Sequence, residues 1–135
     1  MIAATELRLV LVTPETTLLD ESVRSVTFPL FDGQMGVLPG HTPMVGRLGA
    51  GELKFEGSSG QGSFFIDGGF VQIKGAVISI LTHRATGAEE IDLEEAEKAL
   101  VEVQQQIPIG DEAIEAKLAE LDRARRLRDI GRRRS

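Results

Sequence analysis

The most informative stretch of the sequence runs from Gly33 to Val45 and reads GQMGVLPGHTPMV. It is dense in glycine, which permits backbone angles closed to other residues, and in proline, which fixes φ and removes an N–H donor. We therefore predict a shaped loop between two strands. It is either a rigid docking surface that presents Gln34, Met35, His41 and Met44 or a tight corner of an all-β domain.

Composition limits the function classes. The chain has 135 residues, 41% of them hydrophobic, which suits one ordinary domain or a small domain with an appendage. No apolar run is long enough to cross a bilayer, and Glu6 and Arg8 interrupt the N-terminal apolar residues, so we expect a strand there and not a signal peptide. Cysteine is absent, which excludes a disulfide framework, a thiol nucleophile and a thiolate metal site.

The character of the chain changes near Gly87. Thirteen of the 15 glycines and all six phenylalanines lie before residue 88, whereas the later residues are rich in Ala, Glu, Leu and Arg. We predict a β-domain over residues 1–88 and an α-helical domain over residues 89–135.

Short alternating segments in the first part predict strands at 7–12, 16–19, 22–28, 52–56, 63–67, 70–74 and 76–82. A glycine-containing turn at 57–60 separates two of them, and Gly75 separates the last two. Pro29 marks a strand end or an edge. Many short strands at this spacing indicate a sandwich or a barrel.

Two amphipathic helices are predicted in the second part. The first stripe is Leu93, Ala96, Leu100, Val103 and Ile107, and the second is Ile114, Leu118, Leu121, Ala124 and Leu127. Pro108 to Gly110 breaks the helix, and Asp111 can cap the next one. So short a break predicts an antiparallel hairpin, with a coiled-coil partner as the alternative.

Little in the sequence could form an active site. His41 and His83 lack a neighbouring His or a cluster of acidic ligands, and we expect each to be a surface or packed histidine with no metal bound. A Walker-type phosphate loop and a Gly-x-Ser-x-Gly elbow are both missing. We predict that the chain alone is not an enzyme.

Charge is distributed unevenly. Residues 89–116 carry one basic residue against ten acidic ones, and residues 117–135 carry eight basic residues against three. The basic end could pair with an acidic surface or could simply suit a helix C-terminus. Binding of nucleic acid or of a membrane surface is disfavoured, because the tail lacks aromatic residues and the formal net charge is −6.

The spacing Gly-x-x-Gly-x-Leu-Pro-Gly-His-x-Pro within residues 33–43 resembles the signature loop of the ATP synthase epsilon subunit, part of the rotor's central stalk. Val12 to Glu15 resembles the opening strand and turn of this family. Gly68 to Phe70 resembles its central glycine pair, and Ile91-Asp92 lies where its helical hairpin begins. The resemblance covers essentially the whole chain in the right order.

The resemblance implies a flattened N-terminal β-sandwich that joins the gamma subunit to the c ring, followed by a C-terminal antiparallel α-helical hairpin that inhibits ATP hydrolysis. It implies c-ring contact at Asp32, Gly33 and Gln34, gamma contact at His41, Thr42 and Pro43, and contact with the alpha and beta subunits through Arg123, Arg125, Arg126 and Arg128. It also implies a peripheral place on the cytoplasmic face of the bacterial inner membrane or, in a plastid, on the stromal face of the thylakoid.

Some relatives bind ATP through an Ile/Leu-Asp-x-x-Arg-Ala motif, which corresponds here to Ile91, Asp92, Glu95 and Ala96. Glu95 replaces the arginine of the motif and places an anion where a cation would meet phosphate. The same residues also fit a helix start, with Asp92 as N-cap, Glu95 closing a capping box and Ile91 beginning a hydrophobic staple. We expect no cofactor, with ATP binding at Ile91 and Asp92 as the alternative.

Two alternatives from other classes remain. A stand-alone β-sandwich interaction module would have no obligate rotor partner. A small enzyme with its site between sandwich and hairpin would be sensitive to substitution of His41 or His83.

Overall fold

A computed structural model describes residues 6–40, 43–57 and 60–134, with the side chain of Arg134 left out. The strands are β1 (Leu7–Val12), β2 (Thr17–Leu30), β3 (Gly33–Val37), β4 (Met44–Gly57), β5 (Gly60–Lys74), β6 (Val77–Leu81) and β7 (Ala85–Gly87). A 3₁₀ turn (Ala88–Glu90) precedes the helices α1 (Leu93–Gln105) and α2 (Asp111–Arg134). Contacts divide the chain between Thr86 and Gly87 into two parts, which we call the β unit and the helical unit.

The strands of the β unit form a closed ring. Their order is β1-β6-β5-β4-β2, and β1 also pairs with β2, while β3 and β7 add to β2 and β5. The β1–β6 pair is parallel, whereas β1 runs antiparallel to β2. Closure gives each of these five strands a paired neighbour on both sides over at least part of its length. The predicted β-then-α fold is confirmed, with the sandwich closed in the manner of a barrel.

Several predicted strands are parts of longer ones. The segments 16–19 and 22–28 both lie in β2, and 63–67 and 70–74 both lie in β5. The first half of β2 pairs with β1 and its second half with β3 and β4, so the strand continues across the polar residues that suggested a break. Pairing with neighbours that are distant in sequence overrides the local pattern.

The prediction of one loop over residues 33–45 is wrong at both ends. Gly33–Val37 is the strand β3, which pairs antiparallel with β2, and Met44 already begins β4. The connection is therefore confined to residues 38–43. Val37 is only 1% exposed and Met35 packs against the core, so burial of two apolar side chains outweighs the low strand propensity of the glycines.

Alternate residues of the ring strands fill one core. On β1 the inward residues are Leu7, Leu9 and Leu11, of which Leu9 is 0% exposed. The remaining members of the cluster are Val23, Val26, Phe28, Val37, Leu48, Leu53, Phe55, Ile66, Val71, Ile73, Ile78 and Ile80. Full burial of one such side chain stabilises a fold by about 1.5–3 kcal/mol, so this cluster is the main source of the stability of the β unit.

Gly69 allows two strands of the ring to approach closely. A Cβ added at Gly69 would lie 1.9 Å from the carbonyl oxygen of Leu81, and its φ is +115°. Both facts exclude an ordinary side chain there. Gly69 therefore has a steric role at the end of β6.

The helices of the helical unit run antiparallel, as the hairpin prediction requires. The side chain of Lys117 reaches the C-terminal end of α1, and Arg132 lies 3.7 Å from Glu97 near its N-terminal end. Ala96, Leu100 and Val103 of α1 are buried, which confirms three members of the predicted stripe.

Two details of the helix ends differ from prediction. α1 ends at Gln105, so Ile107 lies beyond it and is 87% exposed. α2 includes Asp111 as its first residue, and the first helical hydrogen bond runs from the N–H of Ile114 to the carbonyl oxygen of Gly110 at 3.0 Å. Gly110 is therefore the cap, and Asp111 lies in the first turn, where its charge suits the helix dipole.

Candidate interaction surfaces

The turn between β2 and β3 holds the residues predicted to contact a c ring. Leu30 pairs with Gly33, so Phe31 and Asp32 form a two-residue turn, and Gln34 follows opposite Pro29. Asp32, Gly33 and Gln34 are all exposed, and Gly33 has a φ of +145°, which other residues rarely adopt. The three residues lie together at one end of the hairpin.

Phe31 is a surface residue of this turn that the sequence analysis missed. Its side chain is 69% exposed, and its backbone N–H donates to the carbonyl oxygen of Arg47 at 3.0 Å. This hydrogen bond to β4 fixes the backbone at Phe31, while the ring remains exposed. The local sequence pattern around Phe31 does not show that its side chain is exposed.

The loop predicted to contact gamma is described only in part. His41 and Thr42 lie outside the described residues, and Pro43 is exposed. His83, the other histidine, is exposed and lines a shallow cavity of about 220 Å³ together with Val12, Pro14, Phe70 and Leu81. Within the described residues, no three His, Asp or Glu side chains come together in a way that could hold a metal ion.

The cavity borders an apolar row on the outer surface of the ring. Phe70 pairs with Arg47 on one side and with Leu81 on the other, and Leu81 pairs with Val12. Phe70 is 59% exposed and Leu81 is 48% exposed. This arrangement can bury apolar groups of another molecule but supplies no acid, base or nucleophile from within the row.

The carboxylate of Asp92 is engaged at the start of α1. Its Oδ1 accepts from the N–H of Glu94 at 2.9 Å and from the N–H of Glu95 at 3.3 Å, which confirms the predicted N-cap. Within the described chain, the Glu95 side chain makes no return bond to the N–H of Asp92, so the capping box is half formed. Ile91 lies against Gly131 of α2, where an added Cβ would be 3.0 Å from its Cγ2.

The four arginines predicted to be regulatory differ in their surroundings. Arg126 pairs with Asp122 one turn earlier at 2.8 Å, and Arg128 pairs with Asp129 at 2.9 Å. Arg125 is exposed and makes no ion pair with any described residue, and Arg123 is half-buried. They lie along the C-terminal half of α2 without converging on one point.

Lys117 has a role that the sequence analysis did not predict. Its Nζ donates to the carbonyl oxygens of Gln104 at 3.2 Å and of Gln106 at 2.6 Å, at the C-terminal end of α1. These carbonyls have no partner within the helix, and the last turn of α1 carries no basic residue of its own. Lys117 thus caps α1 from α2 and holds the connection between the helices.

A bidentate ion pair lies on the surface of the β unit. The guanidinium of Arg8 donates to both carboxylate oxygens of Asp20, at 2.8 and 2.6 Å. This hydrogen bonding from Arg8 lowers the pKa of Asp20 below its ordinary value and, in return, raises the pKa of Arg8. The pair links the neighbouring strands β1 and β2.

Neither helix in the described part of the chain combines the length and apolarity needed to cross a bilayer.

Comparison with known proteins identifies the family of the chain. Residues 6–88 match the model of the ATP synthase delta/epsilon chain β-sandwich domain.

Two relatives extend the match into the helical unit. An ATP synthase epsilon chain of Rhodopirellula baltica is 42% identical over 119 residues, which cover 88% of this chain and 93% of the relative. One of Leptospira borgpetersenii is 35% identical over 105 residues, which cover 78% and 83% of the two chains.

A solved structure agrees with these relatives. In the cryo-EM structure of the Euglena gracilis mitochondrial ATP synthase (OSCP, F1 and c ring), one chain superposes with a TM-score of 0.85 and 31% identity. The superposition covers 96% of this chain and 83% of that one. The chain belongs to the ATP synthase delta/epsilon family, as an epsilon subunit of the central stalk.

Proposed function

We propose that this chain is a non-catalytic subunit that couples rotation of a c ring to the catalytic head of a proton-translocating ATP synthase, and that its hairpin inhibits ATP hydrolysis. The observation that carries the proposal is the likeness over 96% of the chain to a subunit of an assembled F1 and c-ring complex. Because both units take part in the likeness, both are expected to serve the complex.

The β unit is proposed to be the mechanical joint. A closed ring with one continuous core resists deformation better than a pair of helices, because bending it would break strand pairing and core packing together. In this proposal the turn at Asp32, Gly33 and Gln34 meets the c ring. The segment His41 to Pro43 meets gamma.

The helical unit is proposed to be the inhibitory element. Its basic residues Arg123, Arg125, Arg126 and Arg128 would meet acidic surface on the alpha and beta subunits. Arg125 is already unpaired within the described chain, and the ion pairs of Arg126 and Arg128 are exposed. Exposed pairs are worth about 0–1 kcal/mol each, so exchanging them for pairs with a partner costs little.

No cofactor is required in this proposal. The carboxylate of Asp92 is occupied by the N-terminal amides of α1, and Glu95 is exposed with a charge that repels phosphate. Association with the membrane would come only through the complex, at the cytoplasmic face of a bacterial inner membrane or the stromal face of a thylakoid.

The experiment is a pull-down of the tagged chain from gently solubilised membranes of its own host, with identification of the bound proteins. We expect gamma, alpha, beta and c subunits in one complex. Recovery of none of them, from membranes whose synthase is intact, would refute the proposal. A β-sandwich interaction module that uses the apolar row of Phe70 and Leu81 would then be the better explanation.

A further inference from the structure

The connection between α1 and α2 carries the two most exposed large apolar side chains of the described residues. Ile107 is 87% exposed and Ile109 is 89% exposed, on either side of Pro108. Close by on α2, Ile114 is 43% exposed and Leu118 is 60% exposed. We call these four residues the apolar tip.

The tip is held in place. Lys117 donates to the carbonyl oxygen of Gln106, directly before Ile107, at 2.6 Å. Pro108 fixes its own φ, and the carbonyl oxygen of Gly110 accepts the first hydrogen bond of α2 at 3.0 Å. Because hydrogen bonds hold the backbone on both sides of Ile107 and Ile109, less backbone conformational entropy would be lost when a partner covers them.

Carboxylates surround the tip. The exposed residues Glu102, Asp111, Glu112 and Glu115 flank it in sequence, and none of them forms an ion pair within the described chain. The ion pairs of the helical unit lie toward its other end, at Asp122–Arg126, Asp129–Arg128 and Glu97–Arg132. Lys117 is the neighbouring cation, and its ammonium group is bound to backbone carbonyls.

We propose that the apolar tip docks into a recess on another subunit of the synthase, apolar at its centre and rimmed by Lys and Arg. The unpaired carboxylates would complement such a rim, whereas they would be repelled by an acidic protein surface or by anionic lipid. The inference rests on the proposed function for the location of the partner. It goes beyond that function, in which the opposite, basic part of the hairpin meets acidic surface.

The test uses the purified synthase depleted of this chain and measures the Kd of the labelled full chain by titration. The double variant Ile107→Ser/Ile109→Ser should bind about tenfold more weakly or worse, since two apolar anchors are lost. Leu18→Ser, an exposed apolar residue of β2 outside every proposed site, should stay within about twofold. Circular dichroism of each variant checks that the helices remain.

Substitution of the carboxylates near the tip tests the charge of the partner separately. Glu112→Gln/Glu115→Gln should weaken binding and reduce its dependence on salt if the partner is basic. Tighter binding by this variant would overturn the assignment of a basic rim.

Lysine variants test whether the tip must be held in place. Lys117→Met should weaken binding, because it releases the connection, whereas Lys98→Met removes the same charge from an exposed position of α1 and should not weaken it. Equal binding of the two lysine variants would overturn the role of Lys117.

Other outcomes separate the inference from the proposed function. If the wild type binds and the isoleucine double variant binds as tightly as Leu18→Ser, the docking role of the apolar tip is refuted and the assignment of the chain as a synthase subunit stands. If the wild type itself does not bind, both the docking role of the apolar tip and the proposed function are refuted. Binding to phosphatidylcholine vesicles, or self-association in sedimentation, that disappears in the isoleucine variant would overturn the choice of partner.

Discussion

The β unit and the helical unit differ in where their apolar side chains lie. The β unit gathers fifteen buried residues into one cluster inside a closed ring. The helical unit buries Ala88, Ala96, Leu100, Val103 and Ile130, while Ile107, Ile109, Ile114 and Leu118 remain exposed. A region with few buried apolar contacts has low local stability. We therefore expect the helical unit to unfold locally more readily than the β unit.

The largest effect should come from the ring core. Leu9→Ala removes a side chain that is 0% exposed and should lower the free energy of unfolding by about 2–5 kcal/mol, because it leaves a cavity. Leu118→Ala, at a site 60% exposed on α2, should change it by less than about 0.5 kcal/mol. Urea denaturation measures both. Equal losses of stability in the two variants would contradict the difference in burial between the β unit and the helical unit.

The close approach at Gly69 should give the next largest effect. Gly69→Ala combines a clash with the carbonyl of Leu81 and a strained φ, so we expect a loss of about 3 kcal/mol. Gly68→Ala is the matched control, since its φ is +75° but an added Cβ meets nothing within 4 Å, and about 1 kcal/mol should be lost. Thermal unfolding compares the two. A Gly68 variant as unstable as the Gly69 variant would show that backbone strain alone matters.

In the helical unit, Asp92→Ala should cost about 1 kcal/mol, since two amides of α1 lose their acceptor. Asp111→Ala should cost only a few tenths, because Asp111 lies within the first turn of α2 and acts through the helix dipole. Helical circular dichroism during unfolding reports both changes. A larger effect at Asp111 would reverse the assignment of the caps.

The smallest effect concerns the surface of the ring. Since Arg8 lowers the pKa of Asp20 in the folded state, this carboxylate stabilises the fold above its unfolded pKa of about 4. That contribution is lost as the pH falls through the lowered folded value. The stability difference between wild type and Asp20→Asn should therefore be constant at neutral pH and shrink only in acid. A stability difference that grows as the pH falls would contradict the lowered pKa of Asp20.

Local patterns in the sequence were sufficient for part of the fold. The strand at Leu7–Val12 and the cap at Asp92 depend on neighbouring residues, so both could be predicted. The merging of strands into β2 and β5, and the strand β3, depend on pairing between distant segments. Those were missed because local propensity in a sheet is weaker than its lateral context.

Prediction of the surface residues from the sequence was limited in the same way. The resemblance supplied Asp32, Gly33 and Gln34, which do lie together at one turn, but Phe31 was overlooked because an exposed aromatic residue has no local signal. Lys117 was overlooked because its acceptors, the carbonyls of Gln104 and Gln106, belong to the other helix. Contacts across a hairpin need the geometry of both helices.

We propose that the β unit suffices for assembly and that the helical unit inhibits ATP hydrolysis. The most direct test is the ATPase rate of synthase reconstituted with the full chain or with residues 1–87 alone. We expect equal assembly and a higher ATPase rate with the truncated chain. An unchanged ATPase rate in a fully assembled truncated complex would contradict the inhibitory role of the helical unit.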